Sequence, residues 1–371
     1  MNPLPIVIGD QKQRGPGTGV AVYSAALTAA LDDAGRRWMA INADAVQVSR
    51  SRRWLRAARP GSRKADWGDN AIEVPDLFRE AQVHFDMWRR PLEIALSGPT
   101  GIAHWTYPVP IRIAGWRNVY TIHDTIPLDH PSLSPVASRR ARRLLETLIS
   151  SASRIVTVSR ASQDDIERLF APPSGFVVNL GEAVDVSHTP MPLPAGLLPR
   201  DYLLCCGTVE PRKNISRLIE AWRSSGADLP LVLAGPAGWR SGPILAAAKG
   251  DVIHLDYLAR ETLLSLVASA RALVMPSLTE GFGLPVAEAM MLGTPVVTSA
   301  EGALAETAGG AALTVSPQNT TALAAALRRV AKDDLLCKRL AAAGGVRSTA
   351  FSIGAFGQRL AAFYDNLTIE G

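Results

Sequence analysis

Long apolar runs are missing from this sequence: no stretch approaches the ~18 consecutive apolar residues that a membrane-spanning helix needs. The first residues, MNPLPIVIGDQKQ, hold neither a basic leader nor a long apolar segment, so no secretory signal is expected there. Cysteine is scarce. Cys205, Cys206 and Cys337 cannot build a disulfide framework, and two of them are neighbours in an apolar run. That is the pattern of buried thiols in a reducing compartment, and it makes the cytoplasm the expected location. No His/Cys cluster has zinc spacing, so no structural metal is expected. Internal repeats and low-complexity tails are absent too.

What is present suits two domains. A chain of 371 residues is long enough for two units of roughly 150–200 residues each, and 47% hydrophobic content is ample for two cores. The net charge of +5 is unevenly placed: residues 1–160 hold 22 Lys and Arg against 14 Asp and Glu, whereas the remainder holds 17 against 20. The densest patch is SRSRRWLRAARPGSRK, from Ser49 to Lys64, where the basic run from Arg50 to Lys64 surrounds Trp54 and Leu55. A basic stretch with an aromatic anchor suits an anionic membrane surface, which would place the chain peripherally on the inner face of the cell membrane. A solvated loop fits the same residues equally well. Arg139, Arg140, Arg142 and Arg143 in SRRARRLL add to that basic character or form a solvated helix face. No nucleic-acid-binding motif accompanies the charge, so nucleic acid is not an expected partner.

Short β-rich runs alternate with helical patterns, the signature of parallel α/β sheets. Strands are expected at residues 4–8, 118–122 and 154–158 in the first half, and at 202–208, 229–235, 252–255, 272–277 and 295–299 in the second. A helix from about Ile215 has Ile215, Leu218, Ile219 and Trp222 on one apolar face. Between the halves, GEAVDVSHTPMPLPAGLLPR (residues 181–200) is rich in Pro and Gly without periodicity and reads as a linker. The expected fold is α/β, with two Rossmann-like domains facing across a cleft, where ligands of open parallel sheets bind.

The most informative stretch is TEGFGLPVAEAM, Thr279 to Met290, which sets Glu280 and Glu288 on either side of a glycine-rich segment. ALVMPS before it ends a strand, and Pro285 fits the first turn of a helix, where a missing N–H costs nothing. Gly293 ends that helix. The amides around Phe282, Gly283 and Leu284 then lie at a helix N-terminus, a ready anion site, and Gly281 and Gly283 let a ligand approach the backbone. Two carboxylates would repel a bare phosphate there. They make sense if each accepts from a hydroxyl while the backbone takes the phosphate, and a nucleotide sugar has that layout. Helix-start acids that favour the dipole are the plainer alternative. In GTVEPRKNISRLIEAW, Arg212 and Lys213 lie between a strand end and a helix start, just before the expected N-cap Asn214, and supply counter-charge for a diphosphate.

GTVEPRKN, PSLTEGFGLPVAEAMMLGTPVV and YTIHDTIPLDHP together resemble the retaining GT-B glycosyltransferases of family 4, mannosyltransferase-like group. The likeness extends to GTGVAVYSAAL, SRIVTVSRASQDDI, LAETAGGAALTVSPQNTTALAAAL and FSIGAFGQRLAAFYDNL, in the family's order and over nearly the whole chain. The resemblance implies an acceptor-binding domain over residues 1–185, with a final helix (355–371) crossing back onto it, and a nucleotide-sugar-binding domain over 186–354. It implies that Glu280 contacts hydroxyls of the donor sugar and Glu288 those of the ribose. The amides of Gly281, Phe282, Gly283 and Leu284 would touch sugar and distal phosphate. Thr208 belongs to the same donor set, and Arg212 and Lys213 would offset the departing diphosphate. Backbone near Tyr257 and Leu258 would meet the base, although Asp256 stands where the family usually has glycine. His123 and Asp124 would sit beside the reacting sugar, Gly17, Thr18 and Gly19 would close on the donor phosphate or acceptor, and His104 would be a loop residue on the acceptor side.

The implied reaction is sugar transfer with retention, without metal or cofactor, and no Asp-x-Asp metal motif stands at a strand end. The GT-x-EPRKN version resembles the GDP-mannose-using group, and the basic first half suits a lipid-linked acceptor in polysaccharide assembly. A UDP-sugar donor, N-acetylglucosamine or glucose, fits the same fold. A dinucleotide-dependent dehydrogenase would need G-x-G-x-x-G after a strand, whereas GPGTGV places Gly15, Gly17 and Gly19 otherwise. A non-catalytic scaffold is disfavoured by the full set of Arg212, Lys213, Glu280, Glu288 and His123.

Overall fold

The computed structural model describes residues 4–9, 19–43, 48–68 and 71–369. The chain divides into two compact units, one of residues 1–129, 136–183 and 353–371, the other of residues 130–135 and 184–352.

In the first unit the strands are β1 (Ile6–Gly9), β2 (Trp38–Asn42), β3 (Arg63–Ala65), β4 (Ala71–Glu73), β5 (Leu92–Leu96), β6 (Ile102–Trp105), β7 (Ile111–Ile113), β8 (Arg117–Ile122), β9 (Arg154–Thr157) and β10 (Val177–Asn179). Seven of them form a sheet in the order β10-β9-β8-β6-β1-β2-β4, and β3-β5-β7 form a separate sheet of three. All named pairings are parallel; Ile6 of β1 pairs with Trp38 of β2 on one side and Ile102 of β6 on the other. The helices are α1 (Gly19–Asp33), α2 (Arg50–Ala57), α3 (Leu77–Trp88), α4 (Ile126–Asp129), α5 (Ser138–Ser151) and α6 (Arg160–Phe170). Central strands are buried on both faces, so they read as continuous apolar runs rather than alternations. Three expected strands recover β1, β8 and β9, while seven others escape the sequence pattern. β3, β4 and β7 are only three residues long, too short for any period to register.

The Arg50–Lys64 segment departs from the loop expectation. Its first half is helix α2, capped by the Ser49 hydroxyl accepting from the Arg52 amide at 3.4 Å. Arg53 pairs with Asp76 at 2.5 Å, and Arg56 and Arg63 pair with the buried Glu80 at 2.7 and 2.6 Å. Three arginines thus face protein carboxylates, while Arg50, Arg52, Arg59 and Lys64 are exposed with Trp54 (56%) and Leu55 (60%).

In the second unit the strands are β11 (Leu203–Cys206), β12 (Leu231–Ala234), β13 (Ile253–Leu255), β14 (Ala272–Met275), β15 (Val296–Ser299) and β16 (Leu313–Val315), in the order β13-β12-β11-β14-β15-β16. Five match expectation within a few residues; β16 was not expected, being half-exposed and three residues long. The helices are α7 (Ile215–Ser225), α8 (Gly242–Ala248), α9 (Arg260–Ser269), α10 (Leu284–Met291), α11 (Gly302–Ala308), α12 (Thr320–Lys332) and α13 (Asp334–Ser348). Strand side chains alternate between faces. Leu203, Cys205, Leu231 and Val274 pack with Leu218 of α7 and Leu327 of α12, whereas Leu204, Cys206, Val232 and Met275 pack with Val267 of α9 and Val286 of α10. The adjacent thiols therefore point to opposite sides of the sheet, and all three cysteines are free and buried. Helix α14 (Ile353–Ile369) belongs to the first unit, where it packs along α1, and its Asp365 pairs with Arg36 in the loop after α1 at 2.6 Å. Among the described residues no helix is long and apolar enough to cross a membrane.

Candidate active site

The strand order of the second unit fixes where its chemistry can sit. From β11 the sheet grows outward through β12 and β13 on one side and through β14, β15 and β16 on the other. The chain therefore reverses direction across the sheet between β11 and β14. Loops leaving the carboxyl ends of two such strands diverge and open a crevice, the usual ligand site of open parallel sheets. The loop after β11 carries Thr208, Arg212 and Lys213, and the loop after β14 carries Glu280 to Gly283.

These loops are tied together by charge. Lys213 Nζ lies 2.7 Å from Glu280 Oε1, Arg212 Nη1 donates to Glu280 Oε2, and Arg212 Nη2 lies 2.6 Å from Glu210 Oε1. The backbone follows the same path: the Leu278 amide donates to the Arg212 carbonyl at 2.9 Å, and Arg212 Nη1 reaches the Thr279 carbonyl at 3.2 Å. Burial would raise the Glu280 carboxyl, but Lys213 and Arg212 outweigh it and hold the group at about 2. Burial likewise disfavours the charge on Arg212, and Glu280 and Glu210 more than restore it. Glu280 and Arg212 are therefore both charged near neutral pH.

Asn214 stands at the N-cap position, yet its side chain caps nothing. Its backbone is left-handed (φ 58°), and its amide instead donates to the carbonyls of Pro276 at 3.0 Å and Pro317 at 2.7 Å. That side chain braces the loops after β11, β14 and β16 against one another.

Helix α10 begins at Leu284 with Pro285 in its first turn, and its N-cap, Gly283, has φ 102° and offers no side-chain cap. Gly283 is required here twice over: the positive φ disfavours any side chain, and a Cβ would meet Leu304 Cδ2 at 2.5 Å. The amides of Gly283 and Leu284 precede the first intrahelical bond, so this end of the helix carries uncompensated positive dipole. Glu288 lies one turn further on, 1% exposed, with Oε1 2.5 Å from Arg260 Nη1 of α9. Burial pushes its carboxyl up and Arg260 pulls it back. Tyr257 and Leu258 follow β13; Tyr257 is 57% exposed, and its amide is taken by the Asp256 carboxylate at 2.8 Å. Thr208 is exposed directly after Gly207 at the end of β11. The second unit thus brings together Arg212, Lys213 and Glu280 in contact, with the α10 N-terminus following on the same loop.

The first unit holds His123, Asp124, His104 and Gly19. His123 follows β8, its Nε2 donating to the Thr106 carbonyl at 2.8 Å while its own carbonyl accepts from the Ser162 hydroxyl at 2.8 Å. The Asp124 carboxylate accepts from the Ile126 amide at 3.1 Å and so starts α4. His104 is not a loop residue open to an acceptor. It lies in β6, 0% exposed, with Nδ1 2.6 Å from the Tyr364 hydroxyl and Nε2 2.8 Å from Thr121 Oγ1. Burial, followed by the nearby His123, lowers its pKa to about 3. Gly19 opens α1 and is exposed; Gly17 and Thr18 lie outside the described residues.

Sequence reasoning passed over two partners, Glu210 and Arg260. Glu210 stands inside the GTVEPRKN motif, two residues before Arg212, and was readable as its counter-charge. Arg260 is separated from Glu288 by 28 residues, and no local spacing signals that pair. Among the described residues no three His, Cys, Asp or Glu side chains are gathered as a metal site. What the second unit offers is fixed positive charge and backbone amides at a helix N-terminus beside the carboxylates of Glu280 and Glu288, a setting suited to a phosphate-bearing molecule.

The fold defines the class. Sucrose-phosphate synthase from Thermosynechococcus elongatus is similar over 99% of this chain and 100% of its own, with a TM-score of 0.70 and 20% identity. Anabaena HepE, solved in complex with UDP and glucose, is similar over 98% of this chain and 100% of its own, with a TM-score of 0.66 and 16% identity. At these identities the likeness is one of fold, and the fold is GT-B. In sequence, residues 198–346 match the family "Glycosyl transferases group 1". Over 255 residues the chain is 34% identical to O-antigen chain mannosyltransferase B of Escherichia coli, a match covering 64% of this chain and 67% of that protein. The chain belongs to the group 1 glycosyltransferases and is a glycosyltransferase enzyme.

Proposed function

We propose that the protein transfers mannose from GDP-mannose to a hydroxyl of a lipid-linked saccharide, with retention at the anomeric carbon, in polysaccharide assembly. The observation that carries this reading is the Arg212–Lys213–Glu280 cluster beside the uncapped start of α10. A diphosphate entering there competes with Glu280 for the two cations. The freed carboxylate oxygens then accept from sugar hydroxyls, and Glu288 accepts from the ribose. As the sugar–phosphate bond breaks, charge builds on the diphosphate, where Arg212, Lys213 and the amides of Gly281 to Leu284 offset it. A phosphate oxygen takes the proton of the acceptor hydroxyl on the face the leaving group vacates, which retains configuration. His123 contributes a hydrogen bond beside the reacting sugar, and Asp124 orients its loop. In this reading the offsetting charge comes from the protein, and no cofactor is called for.

The name of the E. coli relative supports mannose and polysaccharide assembly. A lipid-linked acceptor draws support from the α2 segment, where Arg50, Arg52, Trp54 and Leu55 of α2 and Arg59 and Lys64 after it are exposed, a mix of basic and apolar side chains suited to anionic lipid on the inner side of the cell membrane. UDP is the alternative nucleotide, since HepE was solved with it.

Thermal denaturation of the protein with GDP, UDP, ADP and NAD tests the donor class. A ligand at a hundred times its dissociation constant adds about 2.7 kcal/mol. A shift with GDP alone, followed by turnover of GDP-mannose, is the expected result. A shift with UDP alone moves the donor to a UDP-sugar, and a shift with NAD alone overturns the reading.

A further inference from the structure

A buried chain of hydrogen bonds crosses the first unit and ends against His123. It begins on α14, where the Tyr364 hydroxyl meets His104 Nδ1 at 2.6 Å. His104 Nε2 continues it to Thr121 Oγ1 of β8 at 2.8 Å, and Thr121 Oγ1 lies 3.0 Å from the Tyr23 hydroxyl of α1. Tyr23, His104 and Thr121 are 0% exposed and Tyr364 is 1% exposed. The Tyr23 ring then meets the His123 imidazole edge to face, with centroids 4.9 Å apart and planes at 87°.

The chemistry of the chain makes it directional. Burial keeps His104 neutral, and a neutral imidazole has one donor and one acceptor. Each hydroxyl has a single proton, so His104 must accept from one neighbour and donate to the other. Such a set is rigid when complete and poorly tolerated when broken, because each member would then be buried without its partner. Apolar residues would fill this part of the core at lower desolvation cost. Three elements, α14, β6 and β8, thus converge on one tyrosine of α1, whose ring packs perpendicular to the imidazole.

We infer that Tyr23, held through Thr121 and His104 by Tyr364, is a positioning residue that sets the orientation of the His123 ring for sugar transfer. The inference rests on the reading of His123 as a group beside the reacting sugar. It gives α14, at the far end of the sequence, an influence on the chemistry through a route wholly inside one unit. It also assigns the buried His104 a part in function without any contact to substrate.

The experiment compares His123→Ala, Tyr23→Leu, Tyr23→Phe, Tyr364→Phe and the doubles of each tyrosine variant with His123→Ala, using GDP-mannose and reading GDP release. Arg36→Ala, which cuts the separate tie of the loop after α1 to Asp365 of α14, is the control for general loosening of α14. Misplacing a reacting geometry by about 1 Å can cost ~100-fold in rate; for a tilted imidazole we expect Tyr23→Leu and Tyr364→Phe to lower kcat about tenfold with KM for GDP-mannose changed by less than about twofold. Tyr23→Phe, which keeps the ring but severs it from Thr121, lowers kcat about as much as Tyr364→Phe. In the His123→Ala background neither tyrosine change lowers kcat further, and Arg36→Ala leaves it unchanged. Side-chain NMR of the histidine rings provides the second readout, with the His123 signals displaced in Tyr364→Phe and unmoved in Arg36→Ala. Losses that add to that of His123→Ala, or an unmoved His123 signal in Tyr364→Phe, overturn the inference. Full turnover in His123→Ala overturns the reading of His123 itself, whereas a damaged His123→Ala beside a normal Tyr23→Leu overturns only the role of Tyr23.

Discussion

Glu280→Gln takes a carboxylate from two cations and leaves Lys213 without its ion-pair partner. Lys213, with a side chain 9% exposed, has Glu280 as its carboxylate at 2.7 Å; Arg212 loses the same partner but keeps Glu210 at 2.6 Å. Removing one side of a buried ion pair costs about 3–5 kcal/mol. A second route gives a similar figure. The two cations hold the carboxyl at about 2 against its ordinary 4.5, and at ~1.36 kcal/mol per pH unit that difference is about 3 kcal/mol. For a unit of this size each kcal/mol moves the melting temperature by roughly 2–4 °C, so the variant should melt about 6–12 °C lower at pH 7. The sign of the pH dependence follows from the depressed carboxyl. Its stabilisation is complete above pH 4.5 and fades as pH falls from there towards 2, so the gap between wild type and variant should narrow over that window. Urea midpoints at pH 7, 5, 4 and 3 measure it. Function separates from stability, because in the proposed reading GDP brings its own negative charge to Arg212 and Lys213. GDP binding should survive in Glu280→Gln while GDP-mannose turnover falls about 100-fold through lost sugar positioning. A variant as stable as wild type at pH 7, or a gap that stays constant down to pH 3, would refute the charge argument.

Three further outcomes follow from the same geometry. Asn214→Gly loses the bonds to Pro276 and Pro317 and the one its Oδ1 accepts from Arg217 and should cost about 2 kcal/mol, and Asn214→Ala about 1 more for the left-handed backbone; an Asn214→Gly urea midpoint equal to that of wild type would exclude the bracing role. Arg260→Ala leaves Glu288 buried without its partner, so the carboxyl rises further. Because that group is stabilised when protonated, the variant's stability deficit should grow as pH rises above 4.5, and a deficit independent of pH between 4 and 8 would contradict it. Trp54→Ser with Leu55→Ser should leave stability within about 0.5 kcal/mol of wild type but abolish sedimentation with vesicles containing anionic phosphatidylglycerol; undiminished sedimentation would remove α2 from the membrane reading.

The sequence makes plain those features whose cause is local. β11, β14 and β15 announce themselves because strands buried on both faces must be apolar throughout, and Pro285 and Gly293 punctuate α10 because each residue type suits only one end of a helix. Arg212, Lys213 and Glu280 were readable as a set because short loops at adjacent strand ends leave them little freedom. What escapes is decided at long range. The partner of Glu288 comes from another helix, and the bonds of Asn214 go to prolines 62 and 103 residues away. His104 looks like a loop residue in AHWTYPVP, because nothing nearby reveals the tyrosine 260 positions later that allows a histidine inside a sheet. α2 was hidden by its arginines, of which Arg53 and Arg56 find their counter-charges, Asp76 and Glu80, in a later segment.

The neighbouring thiols of β11 give the second unit a pair of internal gauges. Burial lifts Cys205 to about 12 and Cys206 higher still, so neither supplies a reactive thiolate while the sheet stays covered. Each can react only when its own side uncovers: Cys205 when α7 or α12 lifts away, Cys206 when α9 or α10 does. Two adjacent atoms in one strand thus keep separate time for the two helical layers of the second unit. Slow alkylation, resolved residue by residue, would tell which layer breathes and whether an occupied site stills the α10 side before the other.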